Sequence, residues 1–121
     1  MNTITLTGNL ATEVELKEVN ALDDTGVKKV ANFLLAVDRA GREAGADFVW
    51  ISAWERQAEL CAQYLDKGRR VAVEGRLRTR TWEQDGQRRD AFEVVARRVE
   101  FLFPPTTTDA EVIPFETAAI A

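Results

Sequence analysis

The sequence contains no histidine and only one cysteine, Cys61. The first absence removes imidazole acid–base catalysis, Ser-His-Asp triads and histidine-built zinc sites. The second removes an intramolecular disulfide, and a lone thiol with no imidazole to activate it makes a weak case for a nucleophile. Neither a G-x-x-x-x-G-K-[ST] nor a G-x-G-x-x-G loop is present to cradle a nucleotide phosphate. No apolar run approaches the roughly 18 residues that cross a bilayer. The opening MNTITLTGNL has no basic stretch and no long apolar one, so no secretory signal is expected. A chain of 121 residues then reads as one intracellular domain with a modest core, without metal or organic cofactor.

The net charge of −4 hides an asymmetry. Residues 1–66 carry 6 basic and 11 acidic side chains, and residues 67–98 carry 10 basic and 5 acidic; residues 99–121 carry 4 acids and no base. A polyanion responds to charge within a Debye length of about 8 Å, not to the total. Residues 67–98 are therefore the place to look for a charged surface.

Strand patterning dominates the chain. Thr3–Leu10 alternates polar residues against Ile4, Leu6, Gly8 and Leu10, and Gly8 suggests a bulge or bend. After the turn signal Asp23-Asp24-Thr25-Gly26, Val30–Arg39 reads as a second strand with Phe33, Leu35 and Val37 inward. Residues 40–46 form a small-residue loop. Phe48–Trp54 is a third strand, with Val49, Ile51 and Ala53 on one side and Phe48, Trp50, Ser52 and Trp54 on the other. A helix over Gln57–Lys67 places Ala58, Cys61, Ala62 and Leu65 on one stripe, with Gly68 at the expected left-handed cap. Cys61 on that stripe reads as a small core residue. Val71–Trp82 is a fourth strand, Gln84-Asp85-Gly86-Gln87 a hairpin turn, and Arg89–Arg97 a fifth strand whose facing its run of apolar residues leaves open. Five strands with one helix between the third and fourth are the order of an OB-fold, an all-β Greek-key barrel.

On the fourth strand Arg76, Arg78, Arg80 and Trp82 share one side, about 6.6–6.8 Å apart per step of two residues. That spacing suits the successive phosphates of an extended single strand, and Trp82 offers a flat stacking platform. Phe48, Trp50 and Trp54 supply further rings, with Arg56 beside them. A basic groove with stacking aromatics is what sequence-tolerant binding of single strands requires. Each part has a plainer reading. Alternating arginines can be a solvated face or an edge-strand guard, a strand tryptophan can be core, and Trp50 can fill a subunit interface. Two other readings of the whole stay open: an OB-type protein–protein module of a replication or conjugation complex, and a metal-dependent nuclease, the latter without ligand-like carboxylate spacing.

Several segments resemble the bacterial single-stranded DNA-binding proteins: GNL at 8–10, VANFLLAVDR at 30–39, DFVWISAWERQAELCAQYLDKG at 47–68, VAVEGRLRTRTW at 71–82 and DGQRRDAFEVVA at 85–96. The resemblance runs in order through residues 1–103, which sets a domain boundary there. It implies an OB-fold in a homotetramer, cytoplasmic and associated with the nucleoid, that holds single-stranded DNA in replication, recombination and repair. It places Phe48, Trp54 and Trp82 at stacking positions, and Arg56, Lys67, Arg78 and Arg80 at phosphates. Trp50 stands where relatives often carry a polar, basic or proline residue, Asp90 where many carry tyrosine, and Gly41 near the place of a further stacking tryptophan. Within 104–121, Pro104-Pro105 ends the last strand and an acidic flexible tail is expected. Its Ile113-Pro114-Phe115 resembles the family's partner-docking tip, but six residues follow Phe115, so docking to replication or repair proteins is expected to be weak.

Overall fold

The structure, a computed structural model, describes residues 1–20, 26–41 and 44–102. The turn signal at 23–25, part of the loop at 40–46, and the tail with Ile113, Pro114 and Phe115 lie outside the described residues. The elements are β1 (Ile4–Leu10), β2 (Glu15–Asn20), β3 (Val27–Asp38), β4 (Ala46–Trp54), α1 (Arg56–Tyr64), β5 (Arg70–Gln84) and β6 (Gln87–Phe101). The strand order is β1-β5-β6-β4-β3-β2, and β1 also pairs with β3. Strands β1, β5, β6, β4 and β3 therefore close a ring, with parallel pairing only between β4 and β6. This is the five-stranded OB-fold barrel, and its ring strands are the five expected ones.

Strand β2 is an addition to that expectation, and it moves the helix to the fourth interval along the chain. It hangs on β3 alone, from Glu15↔Asn32 to Asn20↔Val27, with almost every residue exposed. A strand that buries neither face leaves no apolar row, so ELKEVN reads as polar loop. Inside the ring, Phe33, Leu35, Ile51, Val71, Val73, Val94 and Val99 are fully buried.

Closure depends on β1 changing partners. Ile4 to Asn9 pair with β5, whereas Asn9 and Leu10 pair with Ala36 and Leu35 of β3. Gly8 sits at that corner, where a Cβ would run into the carbonyl oxygen of Ala36. The bulge itself lies across the barrel. The register passes from Glu74↔Arg98 to Gly75↔Ala96, which leaves Arg97 as the extra residue. A Cβ on Gly75 would meet the carbonyl oxygen of Val95. Arg97 is held there by its Nη2, which donates to the Gly75 carbonyl (3.2 Å), and by its own carbonyl, which accepts from Gln57 Nε2 (2.6 Å).

Helix α1 contributes Ala58 and Cys61 to the core, and burial pushes the Cys61 thiol up to about 12, as suits a core residue. The helix ends earlier than its sequence pattern suggests. Leu65 is extended (φ −104°, ψ 138°) while its N–H still donates to the Cys61 carbonyl, because that turn carries the Leu65 side chain into the core. Gly68 does have a positive φ of 95°, but it belongs to the following loop, where its N–H donates to Leu10. At the helix start, Lys29 of β3 pairs with Glu59 at 2.8 Å. The hydrogen bond from Lys29 holds the Glu59 carboxyl below its usual range.

Strands β5 and β6 run 15 residues each, joined by Asp85 and Gly86, both at positive φ as a two-residue turn requires. Beyond Leu77 and Phe92 the ribbon leaves the barrel, and both of these side chains are exposed although they continue inward-facing rows. Asn2 clamps the point of departure: its Nδ2 donates to the Leu77 carbonyl and its Oδ1 accepts from the Leu77 N–H, each at 2.9 Å. Replacing Gly75 by alanine forces β5 and β6 apart at the bulge. It is expected to lower stability by about 1–3 kcal/mol, read as a reduced urea midpoint at constant m; an unchanged midpoint would show that β6 yields freely.

Candidate nucleic-acid interface

Registers across β4, β6 and β5 decide which side chains share a face. Trp50 lies opposite Glu93, and Glu93 opposite Arg78; Ser52 lies opposite Val95, and Val95 opposite Arg76. Ala91 pairs with Arg80, and Arg89 with Trp82. Alternate residues therefore put Phe48, Trp50, Ser52 and Trp54 of β4 on the same outer face as Arg76, Arg78, Arg80 and Trp82 of β5. Only one strand intervenes, so the two rows are about 10 Å apart at two strand spacings. The aromatic row and the arginine row are one surface. Phe48 (60% exposed), Trp50 (48%) and Trp82 (42%) stand open on it, and Trp54 is half-buried at its end, opposite Val30.

The arginines do not form a uniform ladder. Glu93 is only 3% exposed, beneath this surface. One of its oxygens, Oε2, accepts from Arg78 Nη2 at 2.7 Å and from the buried Ser52 hydroxyl at 3.0 Å. The other, Oε1, lies 3.4 Å from Arg80 Nε. A buried carboxylate without such donors would cost several kcal/mol. The Arg80 guanidinium also lies over the Trp82 ring, 5.8 Å from its centroid. Arg76 is exposed and has no acidic partner among the described residues. Two of the three row arginines are thus anchored, and the third is free.

The remaining candidates are more dispersed. Arg56 begins α1 just beyond Trp54, with its Nη1 3.7 Å from Glu59, and stays largely exposed. Lys67 is exposed in the loop before β5, where its N–H donates to Glu13. The arginine row runs away from it along β5 toward the hairpin tip, so the structure does not bring Lys67 to the shared face. Asp90 pairs with Thr81 on the opposite side of the ribbon, where its Oδ1 accepts the Thr81 hydroxyl at 2.8 Å.

Sequence reasoning missed three members of the surface: Glu93, Ser52 as its partner, and Arg89 opposite Trp82. Arg89 was reachable by counting back from the two-residue turn, since Gln84 opposite Gln87 sets Trp82 opposite Arg89. Glu93 was marked only by being an acid between Phe92 and Val94 in an apolar run.

Residues 1–102 match the model of the single-strand binding protein family. The chain belongs to that family. It is 43% identical over 106 residues to single-stranded DNA-binding protein 3 of Clostridium acetobutylicum, covering 84% of this chain and 71% of that protein. It is 42% identical to the single-stranded DNA-binding protein of Clostridium tetani, with 84% and 70% covered. It is 43% identical to that of Bacillus cereus, with 86% and 61% covered. In this family member the matched region takes in every element of the barrel and both rows of the surface. Among the described residues no helix is long and apolar enough to cross a membrane, and no three His, Cys, Asp or Glu side chains cluster to hold a metal ion.

Proposed function

We propose that this protein holds single-stranded DNA, without reading its sequence, on the outer face formed by β4, β6 and β5. Single-stranded DNA binding follows from its family; the residues that perform it are our assignment. The observation that carries the assignment is the register that joins exposed Phe48, Trp50 and Trp82 to Arg76, Arg78 and Arg80 across a single strand. Bases stack on Phe48, Trp50, Trp54 and Trp82, while Arg76, Arg78 and Arg80 meet the phosphates between them. Arg56 extends the path past Trp54, whereas Lys67 lies off this face. Ring faces accept any base, so such a surface is indifferent to sequence. No catalytic step belongs to this reading. The protein would shield exposed strands during replication, recombination and repair, in the cytoplasm at the nucleoid.

Affinity for oligo(dT) should exceed that for duplex of the same length and fall with salt, with a log–log slope of about −0.7 per neutralised phosphate. Fluorescence titration at two salt concentrations measures both, and equal affinity for duplex would sink the assignment. Trp82→Ala and Trp54→Ala should each weaken binding by about 1–3 kcal/mol with the fold retained. Trp50→Ala should do the same; dissociation of an assembly with per-site affinity unchanged would instead make Trp50 an interface residue.

Assembly into a homotetramer is part of the proposal. Its support is the apolar surface that one chain leaves open, with Leu77 41% and Phe92 64% exposed on the side of the ribbon away from the arginines. Light scattering at micromolar concentration should give about four times the chain mass, and a single species of 13.6 kDa would refute it.

A further inference from the structure

We infer that Glu93 is a positioning residue for DNA capture: it fixes the Arg78 and Arg80 guanidiniums on the surface, and its removal weakens binding even though it removes a negative charge. This deepens the assignment above and rests on Arg78 and Arg80 meeting phosphates.

Three observations carry the inference. Glu93 is buried beneath the outer face and shares its two oxygens between neighbouring arginines of the row, Arg78 at 2.7 Å and Arg80 at 3.4 Å. Its own position is set from the other side by the Ser52 hydroxyl at 3.0 Å, so the carboxylate cannot follow the arginines outward. Arg78 is anchored by Nη2 alone, and its Nη1 has no partner among the described residues. A guanidinium offers five donors in a rigid fork. Holding Nη2 inward, with Nε buried beside it, leaves Nη1 open at a fixed place, without the side-chain entropy that a free arginine loses on binding.

Two effects of Glu93 on DNA oppose each other. Its charge repels phosphate, so Coulomb interaction alone makes Glu93→Gln a tighter binder. Its hydrogen bond with Arg78 and its ion pair with Arg80 preorganise two cations, so positioning makes the same variant a weaker one. Geometry favours the second. The carboxylate lies below the surface and is already neutralised by two adjacent guanidiniums, so phosphate experiences the cluster as one net cation in a fixed arrangement.

The test measures oligo(dT) affinity of Glu93→Gln, Arg78→Ala, Arg76→Ala and the double variants Glu93→Gln/Arg78→Ala and Glu93→Gln/Arg76→Ala, with thermal unfolding and assembly size recorded for each. Glu93→Gln is expected to weaken binding about 5- to 20-fold, within the range of coupling between groups in direct contact. In the Arg78→Ala background most of that loss should vanish, while with Arg76→Ala, which does not touch Glu93, the two losses should multiply. A general loosening of the fold would reduce binding equally in both backgrounds and so overturn the inference. Equal or tighter binding by Glu93→Gln also overturns it. If Arg78→Ala itself binds normally, the phosphate assignment fails and the positioning role falls with it. Should Glu93→Gln not fold, Ser52→Ala reads the same effect without any change of charge. It is expected to weaken binding about 2- to 5-fold, and unchanged affinity would count against the inference.

Discussion

Everything on the functional face depends on how closely two pairs of strands approach where the barrel closes. A five-stranded ring is the small limit for a closed sheet, and its corners leave no room for a side chain. At Gly8 the backbone of β1 lies against the Ala36 carbonyl, and this lets one strand serve two neighbours, β5 and β3. At Gly75 the backbone of β5 lies against the Val95 carbonyl, beside the extra residue Arg97. A bulge bends its strand and increases the local twist. Here it lies just before the point, at Leu77 and Phe92, where the β5–β6 ribbon leaves the barrel. Arg76, Arg78, Arg80 and Trp82 all follow the bulge, so the same irregularity that closes the core directs the arginine row.

Past Leu77 and Phe92 the ribbon cannot rely on the core for rigidity. Leu77 and Phe92 are exposed, and the turn at Asp85-Gly86 is held only by its own ladder. Its contacts there include Asn2 on both backbone groups of Leu77, Thr81 on Asp90, and Glu93 on Arg78 and Arg80. Of these only Glu93 is also bonded to β4. One buried carboxylate thus ties β4, through Ser52, to β5, and it fixes the binding surface as well as the ribbon.

The ring strands were legible because each buries one face. Val49 and Ile51 alternate with the exposed rings of Phe48 and Trp50, and Val71 and Val73 with the less buried Ala72 and Glu74, so a period of two survives in the sequence. Strand β2 was not legible because it buries almost nothing and is defined only by its hydrogen bonds to β3. The facing of β6 was ambiguous for a different reason. Phe92, Val94 and Ala96 point inward, yet Val95 on the outer face is half-covered between Ser52 and Arg76, and the bulge at Arg97 then shifts the alternation. The aromatic and arginine rows were each visible along their own strands. Their meeting on one face depends on the parallel pairing of β4 with β6, which no local pattern encodes. Glu93 was hidden because a glutamate in a strand reads as solvent-facing, and only three-dimensional proximity supplies the donors that make its burial tolerable.

This arrangement bears on how affinity divides between charge and stacking. The outer face carries Arg76, Arg78, Arg80 and Arg89, but Glu93 offsets one of these charges and the chain as a whole is acidic. Electrostatic attraction is therefore weaker than a count of arginines suggests, and it is screened further at cellular ionic strength. Stacking is not screened. Four rings at about 1–3 kcal/mol per stacked base amount to roughly 4–12 kcal/mol before the cost of ordering the strand. On the proposed assignment the rings hold the DNA, and the arginines, two of them fixed from below, determine where the backbone runs between them. The balance also accounts for how a protein of net charge −4 can serve a polyanion. It needs a small, well-placed set of cations among aromatic platforms.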